Sequence, residues 1–287
     1  MVVDGSDEAT LLALHSIRDE RLRVKPLPRP AGIGGARNAG IREARGRWIA
    51  FLDDDDEWLE RKLELQLGSA EVSRHAHPVI AGRILARVEG EDALVWPRRL
   101  PAPDEALSDY LFARKGPFWG EGLIHTSTLL VERELALATP FDEDLEKHED
   151  IDWLLRITLI KGAFVEFVPT REPLAIWNAD EGRHRASTVP SWRRSLLWIQ
   201  TRRELVTPRA YAAFLLTWIA ADAARERSVK ALWRLPQDAL AHGRPTGRDL
   251  LIFVGIWLIP RRARRRAAVL WAKRPSASDV GDRSPTA

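Results

Sequence analysis

Apolar positions in the first half of the chain alternate between two spacings. Val2 and Val3 end a strand. Residues 9–18 carry Leu11, Leu12, Leu14 and Ile17 at helical spacing, and residues 21–27 resemble a short strand. Gly32 to Gly35 reads as a flexible loop that opens a helix running to about Ala44. The apolar run Trp48, Ile49, Ala50, Phe51 and Leu52 then reads as a buried strand leading directly into Asp53, Asp54, Asp55, Asp56 and Glu57. Strands alternating with helices predict an α/β fold, a mostly parallel sheet flanked by helices. The acidic run should emerge at the carboxyl edge of that sheet, where open α/β sheets bind ligands.

The second half changes character. Residues 123–131 are strand-like, and Glu149 and Asp150 precede Ile151, Leu154, Leu155, Thr158 and Leu159, whose spacing puts both carboxylates in the first turn of an amphipathic helix. Residues 191–205 and 208–227 have helical apolar spacing with many arginines. The apolar run 250–259 is followed by Arg261, Arg262, Arg264, Arg265 and Arg266. The pattern divides the chain into residues 1–189, a helical and basic region at 190–274, and a small, polar tail at 275–287 expected to be disordered. As a helix, 250–259 would span about 15 Å, half of a bilayer's hydrocarbon core. An apolar helical face beside arginines fits packing against the first region and fits an anionic membrane surface equally well.

Composition narrows the chemistry. The chain has 287 residues, enough for a full core, and its net charge is only +3. It has no cysteine, which excludes disulfides, thiolate metal sites and cysteine nucleophiles. No nucleic-acid-binding motif accompanies the late arginines, so no nucleic-acid partner is expected. The first residues lack the pattern of a signal peptide, so the expectation is a cytoplasmic protein, with a peripheral position on the inner face of the cell membrane as the variant suggested by the arginines.

Adjacent carboxylates repel unless something positive neutralises them, and hard oxygen ligands on a turn suit a divalent cation carrying phosphate oxygens. The rival reading is a solvated acidic turn. Gly32 and Gly34 start neither a dinucleotide fingerprint nor a P-loop, because Arg37 and Ile41 stand where those motifs need glycine and lysine. A helix amino terminus with Arg37 one turn in still favours an anion.

The string GGARNAGIREARGRWIAFLDDDDEW at 34–58 resembles the A-R-N and F-L-D-x-D-D-x-W block of the family 2 glycosyltransferases. VVDGS at 2–6 is similar to that family's V-V-D-D-G-S segment, with one aspartate fewer, and HED at 148–150 to its E-D motif. The resemblance implies a GT-A (Rossmann-like) fold with a helical C-terminal extension, and an inverting transferase moving a sugar from a nucleoside-diphosphate donor, UDP-linked by expectation. The acceptor would be a hydroxyl of a glycan or lipid-linked molecule, as in cell-surface polysaccharide synthesis. It further implies Asp150 as general base, Asp4, Arg37, Asp53 and Asp54 on the nucleotide, and Asp55 on a divalent cation, Mn2+ or Mg2+.

Trp119, Glu149 and His184 are candidates for the acceptor side or a closing loop. From the residues alone, the favoured reading of Trp119 is a core side chain in a chain with 12 tryptophans, and that of His184 a surface loop histidine. Family members carry a strand and helix before V-V-D-D-G-S, so this chain reads as starting at the second strand, either because its start is placed too late or because it is truncated. A truncated, inactive nucleotide-sugar-binding relative and a membrane-surface adaptor are therefore the alternatives to an enzyme.

Overall fold

The computed structural model describes residues 1–87, 93–116, 121–178 and 191–272. In chain order, β1 (Val2–Val3), α1 (Glu8–Ser16), β2 (Lys25–Pro26) and α2 (Gly32–Glu43) lead to β3 (Trp48–Ala50), β4 (Asp56–Trp58) and α3 (Lys62–Val72). Next come β5 (His77–Ala81), β6 (Arg83–Arg87), β7 (Leu94–Trp96), α4 (Leu107–Phe112), β8 (Leu130–Glu132), α5 (Arg133–Ala138), α6 (Glu149–Ile157), β9 (Ala163–Phe167) and β10 (Pro173–Asn178). The remainder is helical: α7 (Trp192–Thr201), α8 (Pro208–Ala213), α9 (Ala220–Arg225), α10 (Val229–His242), α11 (Gly247–Leu258) and α12 (Arg261–Ala272).

Helices flank sheets of mixed direction. One sheet has the order β3-β8-β5-β9, a second β4-β10-β6-β7, and β1 pairs with β2. The pairs β1·β2, β5·β9 and β6·β10 are parallel, whereas β8 runs antiparallel to both β3 and β5, and β4 to β10. The α/β class with flanking helices holds. Periodicity carries no strand direction, which is why β8, inserted between β3 and β5, could not be read as antiparallel.

Two local expectations are corrected. Most of 123–131 is not strand: Thr126–Thr128 form a 3-10 turn whose hydroxyl-bearing side chains are buried, and β8 begins only at Leu130. Gly34 and Gly35 lie inside α2 and not in a loop before it. A Cβ on Gly34 would stand 2.9 Å from the Asp142 carbonyl oxygen, so glycine here permits close packing of α2 against the chain ahead of α6.

The helical region shares the core of the sheet. One cluster of buried side chains runs from Ile41, Phe51 and Val79 through Trp153 and Leu154 to Phe214, Leu235 and Ile256. Helix α11 faces both ways: Phe253 and Ile256 are buried, while Leu251, Val254 and Leu258 are exposed. Its start is fixed by a capping box between Thr246 and Asp249. The expected helix 208–227 is continuous but contains a π-helical turn, Phe214–Ile219, between α8 and α9. Among the described residues no helix is long and apolar enough to cross a membrane.

Candidate active site

Strand β3 ends at Ala50, and the chain turns sharply before β4. The Trp58 indole N–H donates to the carbonyl oxygens of Phe51 and Ser127, at 3.1 Å each, and pins the turn at both ends. The Asp53 N–H donates to Ser127 Oγ at 3.0 Å, and that hydroxyl donates to Asp56 Oδ2 at 2.6 Å. One buried serine thus satisfies two members of the acidic run from opposite sides. Asp56 is buried, Asp53 and Asp55 are half-buried, and Asp54 is exposed.

Helix α2 brings the counter-charge. Arg37 donates through Nη2 to Asp53 Oδ1 at 2.8 Å and through Nη1 to Glu149 Oε1 at 3.0 Å, joining the acidic run to α6. Burial alone would lower its pKa, but Asp53, Asp150 and Glu149 outweigh that and hold it above the ordinary arginine value. The next residue, Asn38, is an anchor: its amide donates to the Phe141 carbonyl at 2.9 Å and accepts the Phe141 N–H at 2.8 Å. Asp4 sits at the entrance of α2, accepting the N–H groups of Ala31 at 2.6 Å and Gly32 at 3.0 Å. Its carboxylate thus occupies the helix amino terminus that the sequence reading left open to an anion.

Glu149 and Asp150 open α6, as the periodicity predicts. The residue before them, His148, has φ of +68°, a left-handed conformation unfavourable for a side chain of this size. The imidazole is held by Ser195 Oγ, 2.8 Å from Nε2, between the rings of Trp198 and Phe214. Burial, with Lys147 beside it, lowers His148 to about 3, so it stays neutral. Phe214 opens the π-helical turn, so this irregular turn packs directly behind the strained residue. Glu149 is pushed up to about 7 by burial and by Asp150, against the pull of Arg37. Burial raises Asp150 as well; Arg37 and the Ile151 N–H, 2.7 Å from Oδ1, oppose the shift. Two carboxyl groups at one helix start therefore share a cation and compete for a proton.

Asp53, Asp56 and His125 place one ligand atom each within 4.8 Å of one another. Two carboxylates and an imidazole form a donor set suited to a divalent transition metal. Asp55 is not in this group; its carbonyl oxygen accepts from Asn178 Nδ2 at 2.8 Å. His125 was missed in the sequence because nothing there showed that residues 125–127 fold back onto the acidic turn. Trp119 and His184 lie outside the described residues.

Asp53, His125, Arg37, Glu149 and Asp150 line a cavity of roughly 2280 Å³, which runs from Asp4 and Asp53 past Asp150 and the π-helical turn to the first turns of α12. The sequence matches the model of glycosyl transferase family 2 over residues 1–131. The likeness to family 2 glycosyltransferases is carried by residues 1–131, just under half of the chain.

Several characterised glycosyltransferases and biosynthesis proteins share this similarity. The amylovoran biosynthesis glycosyltransferase AmsB of Erwinia amylovora is 31% identical over 189 residues, 62% of this chain and 59% of that protein. The succinoglycan biosynthesis protein ExoO of Rhizobium meliloti is 36% identical over 157 residues, 52% and 44% of the two chains. A third, the UDP-Glc:alpha-D-GlcNAc-diphosphoundecaprenol beta-1,3-glucosyltransferase WfgD of Escherichia coli, is 39% identical over 64 residues, 22% and 25% of the two chains. The chain thus spans between 25% and 59% of the length of these relatives. The family 2 match contains Asp4, Arg37, the acidic run and His125, while Glu149, Asp150 and the helices behind them lie beyond it.

Proposed function

We propose that the chain is an inverting glycosyltransferase that moves a sugar from a nucleoside-diphosphate donor, UDP-linked, to a hydroxyl of a glycan or lipid-linked acceptor in cell-surface polysaccharide synthesis. The observation that carries this reading is the joining of the acidic turn, through Arg37, to Glu149 and so to the helix start that carries Asp150. Similarity to AmsB, ExoO and WfgD supports the reaction class, and the UDP-Glc donor in the name of WfgD supports a UDP-linked donor here.

Asp150 is the general base. A sugar hydroxyl is a weak nucleophile at neutral pH, and a carboxylate at a helix start can accept its proton as the oxygen attacks the anomeric carbon opposite the leaving diphosphate. The anomeric carbon–diphosphate bond breaks as the new glycosidic bond forms, so the configuration inverts without a covalent intermediate. Arg37, already within hydrogen-bond reach of Asp53 and Glu149, lies where a cation can offset charge on the departing diphosphate. Asp53, Asp56 and His125 would hold a divalent cation, Mn2+ or Mg2+, which when bound supplies Lewis-acid neutralisation of phosphate oxygens. Asp54, exposed on the same turn, would face the ribose, and Asp4 would contact the nucleotide from the mouth of α2. The exposed face of α11 beside the arginines of α12 supports a peripheral position on an anionic membrane.

The test is transfer itself. UDP release from UDP-glucose, UDP-galactose and UDP-N-acetylglucosamine is followed with manganese and a bacterial glycolipid extract, and the product linkage is assigned by NMR. An inverted linkage supports the proposal; a retained configuration, or failure to bind any of the three donors, would overturn it. His125→Ala should weaken manganese-dependent UDP binding about tenfold, as loss of one metal ligand implies.

A further inference from the structure

The cavity that contains the carboxylate corner ends among arginines. Arg114, just beyond α4, Arg248 on α11, and Arg261 and Arg264 on α12 line this end together with Lys115. Arg114 is the unusual member. Its Nε is buried and has no hydrogen-bond partner, and no carboxylate forms an ion pair with it among the described residues.

The groups that face Arg114 do not neutralise it. They are Arg264, Glu121 and Asp249. Asp249 is already engaged by Arg209, 2.7 Å away, and by the Thr246 N–H and hydroxyl at 2.7 Å each. Glu121 accepts the Gly116 N–H. Arg264 adds a second positive charge, and its Nε donates only to the Ile259 carbonyl at 3.1 Å. Burial and Arg264 pull Arg114 down to about 10, so it remains cationic at neutral pH. A half-buried guanidinium whose buried Nε donor is unused, facing another guanidinium, is costly unless an anion joins it. Planar arginine forks match phosphate oxygens well.

The wall beside the arginines is apolar. Leu251, Ile252, Ile256 and Ile259 of the α11 segment line the same cavity, and Leu251 is 74% exposed although it faces this space. A water-facing leucine surface adjoining Arg114 and Arg264 suits a ligand that is anionic at one end and hydrocarbon at the other.

We infer that Arg114 and Arg264 bind the phosphate of a phosphorylated amphiphile, whose hydrocarbon chain lies along the apolar face of α11. The inference rests on the transfer reading of this cavity, because an amphiphile held here is the acceptor: a glycan carried on a lipid phosphate, its sugar directed toward Asp150.

The experiment measures binding without the donor. Farnesyl diphosphate, inorganic pyrophosphate and farnesol are titrated calorimetrically into the full chain in EDTA, and farnesyl diphosphate is titrated again with saturating UDP and manganese. Farnesyl diphosphate should bind at least about tenfold more tightly than either fragment, and Arg114→Gln and Arg264→Gln should each weaken it by about tenfold with unchanged circular dichroism. If Arg114→Gln does not fold, Arg264→Gln alone decides. The inference is overturned if both variants bind as the wild type does, if either fragment matches farnesyl diphosphate, or if UDP displaces it, which would put the ligand in the nucleotide corner. Because the EDTA arm needs no donor, it can fail while transfer stands, or succeed while transfer fails.

Discussion

Two half-buried arginines line opposite ends of one cavity, and their surroundings are opposite in kind. Arg37 is enclosed by Asp53, Glu149 and Asp150, and its charge is held more firmly than that of a free arginine. Arg114 has no such partner, faces Arg264, and is held less firmly. The first arrangement is complete without a ligand and organises carboxylates. The second is incomplete, and an unmet charge in a cavity indicates what the cavity takes.

The same substitution should therefore act in opposite directions at the two ends. Arg37→Met removes the cation that three carboxylates share and leaves their repulsion buried; we expect a loss of ~3 kcal/mol of folding stability, read from urea denaturation midpoints. Next in size is the pH dependence of the carboxylate corner. Glu149 titrates near 7 in the folded chain against 4.5 ordinarily, so the native state retains a proton that the unfolded chain has released in that window. Stability in EDTA should fall by ~1–3 kcal/mol as pH rises from about 4.5 to 7 and flatten above, and Glu149→Gln should remove most of the slope. The smallest effect has the opposite sign: Arg114→Met should stabilise the chain by ~1–2 kcal/mol while abolishing farnesyl diphosphate binding. If both arginine variants destabilise equally, the contrast between the two ends is lost.

Much of the first end was legible in the sequence because its parts are local. The acidic run, Arg37 one turn into a helix, and two carboxylates at the start of α6 all follow from spacing. Which of them touch did not follow. Ser127 and His125 reach the acidic turn across more than 65 residues of chain, and Asn38 does so in holding the Phe141 segment. Gly34 and Gly35 read as part of a flexible loop, because a glycine needed for close packing and one needed for a turn look alike in one dimension. The π-helical turn at Phe214–Ile219 left no periodic trace either, since one extra residue in a helix barely shifts an apolar stripe. At the second end the sequence showed an arginine run after an apolar helix, but not that Arg114, far upstream, joins it.

The central claim is that the carboxylate carried by α6 takes the acceptor proton while the corner around Arg37 holds the donor. UDP-glucose affinity and UDP release, measured together for the wild type and for Asp150→Asn with manganese present, test it most directly. The account predicts that release falls by at least ~10³-fold while donor affinity changes by no more than about twofold. Release at the wild-type rate would remove Asp150 as the base, and a loss confined to donor affinity would make it part of the binding site instead.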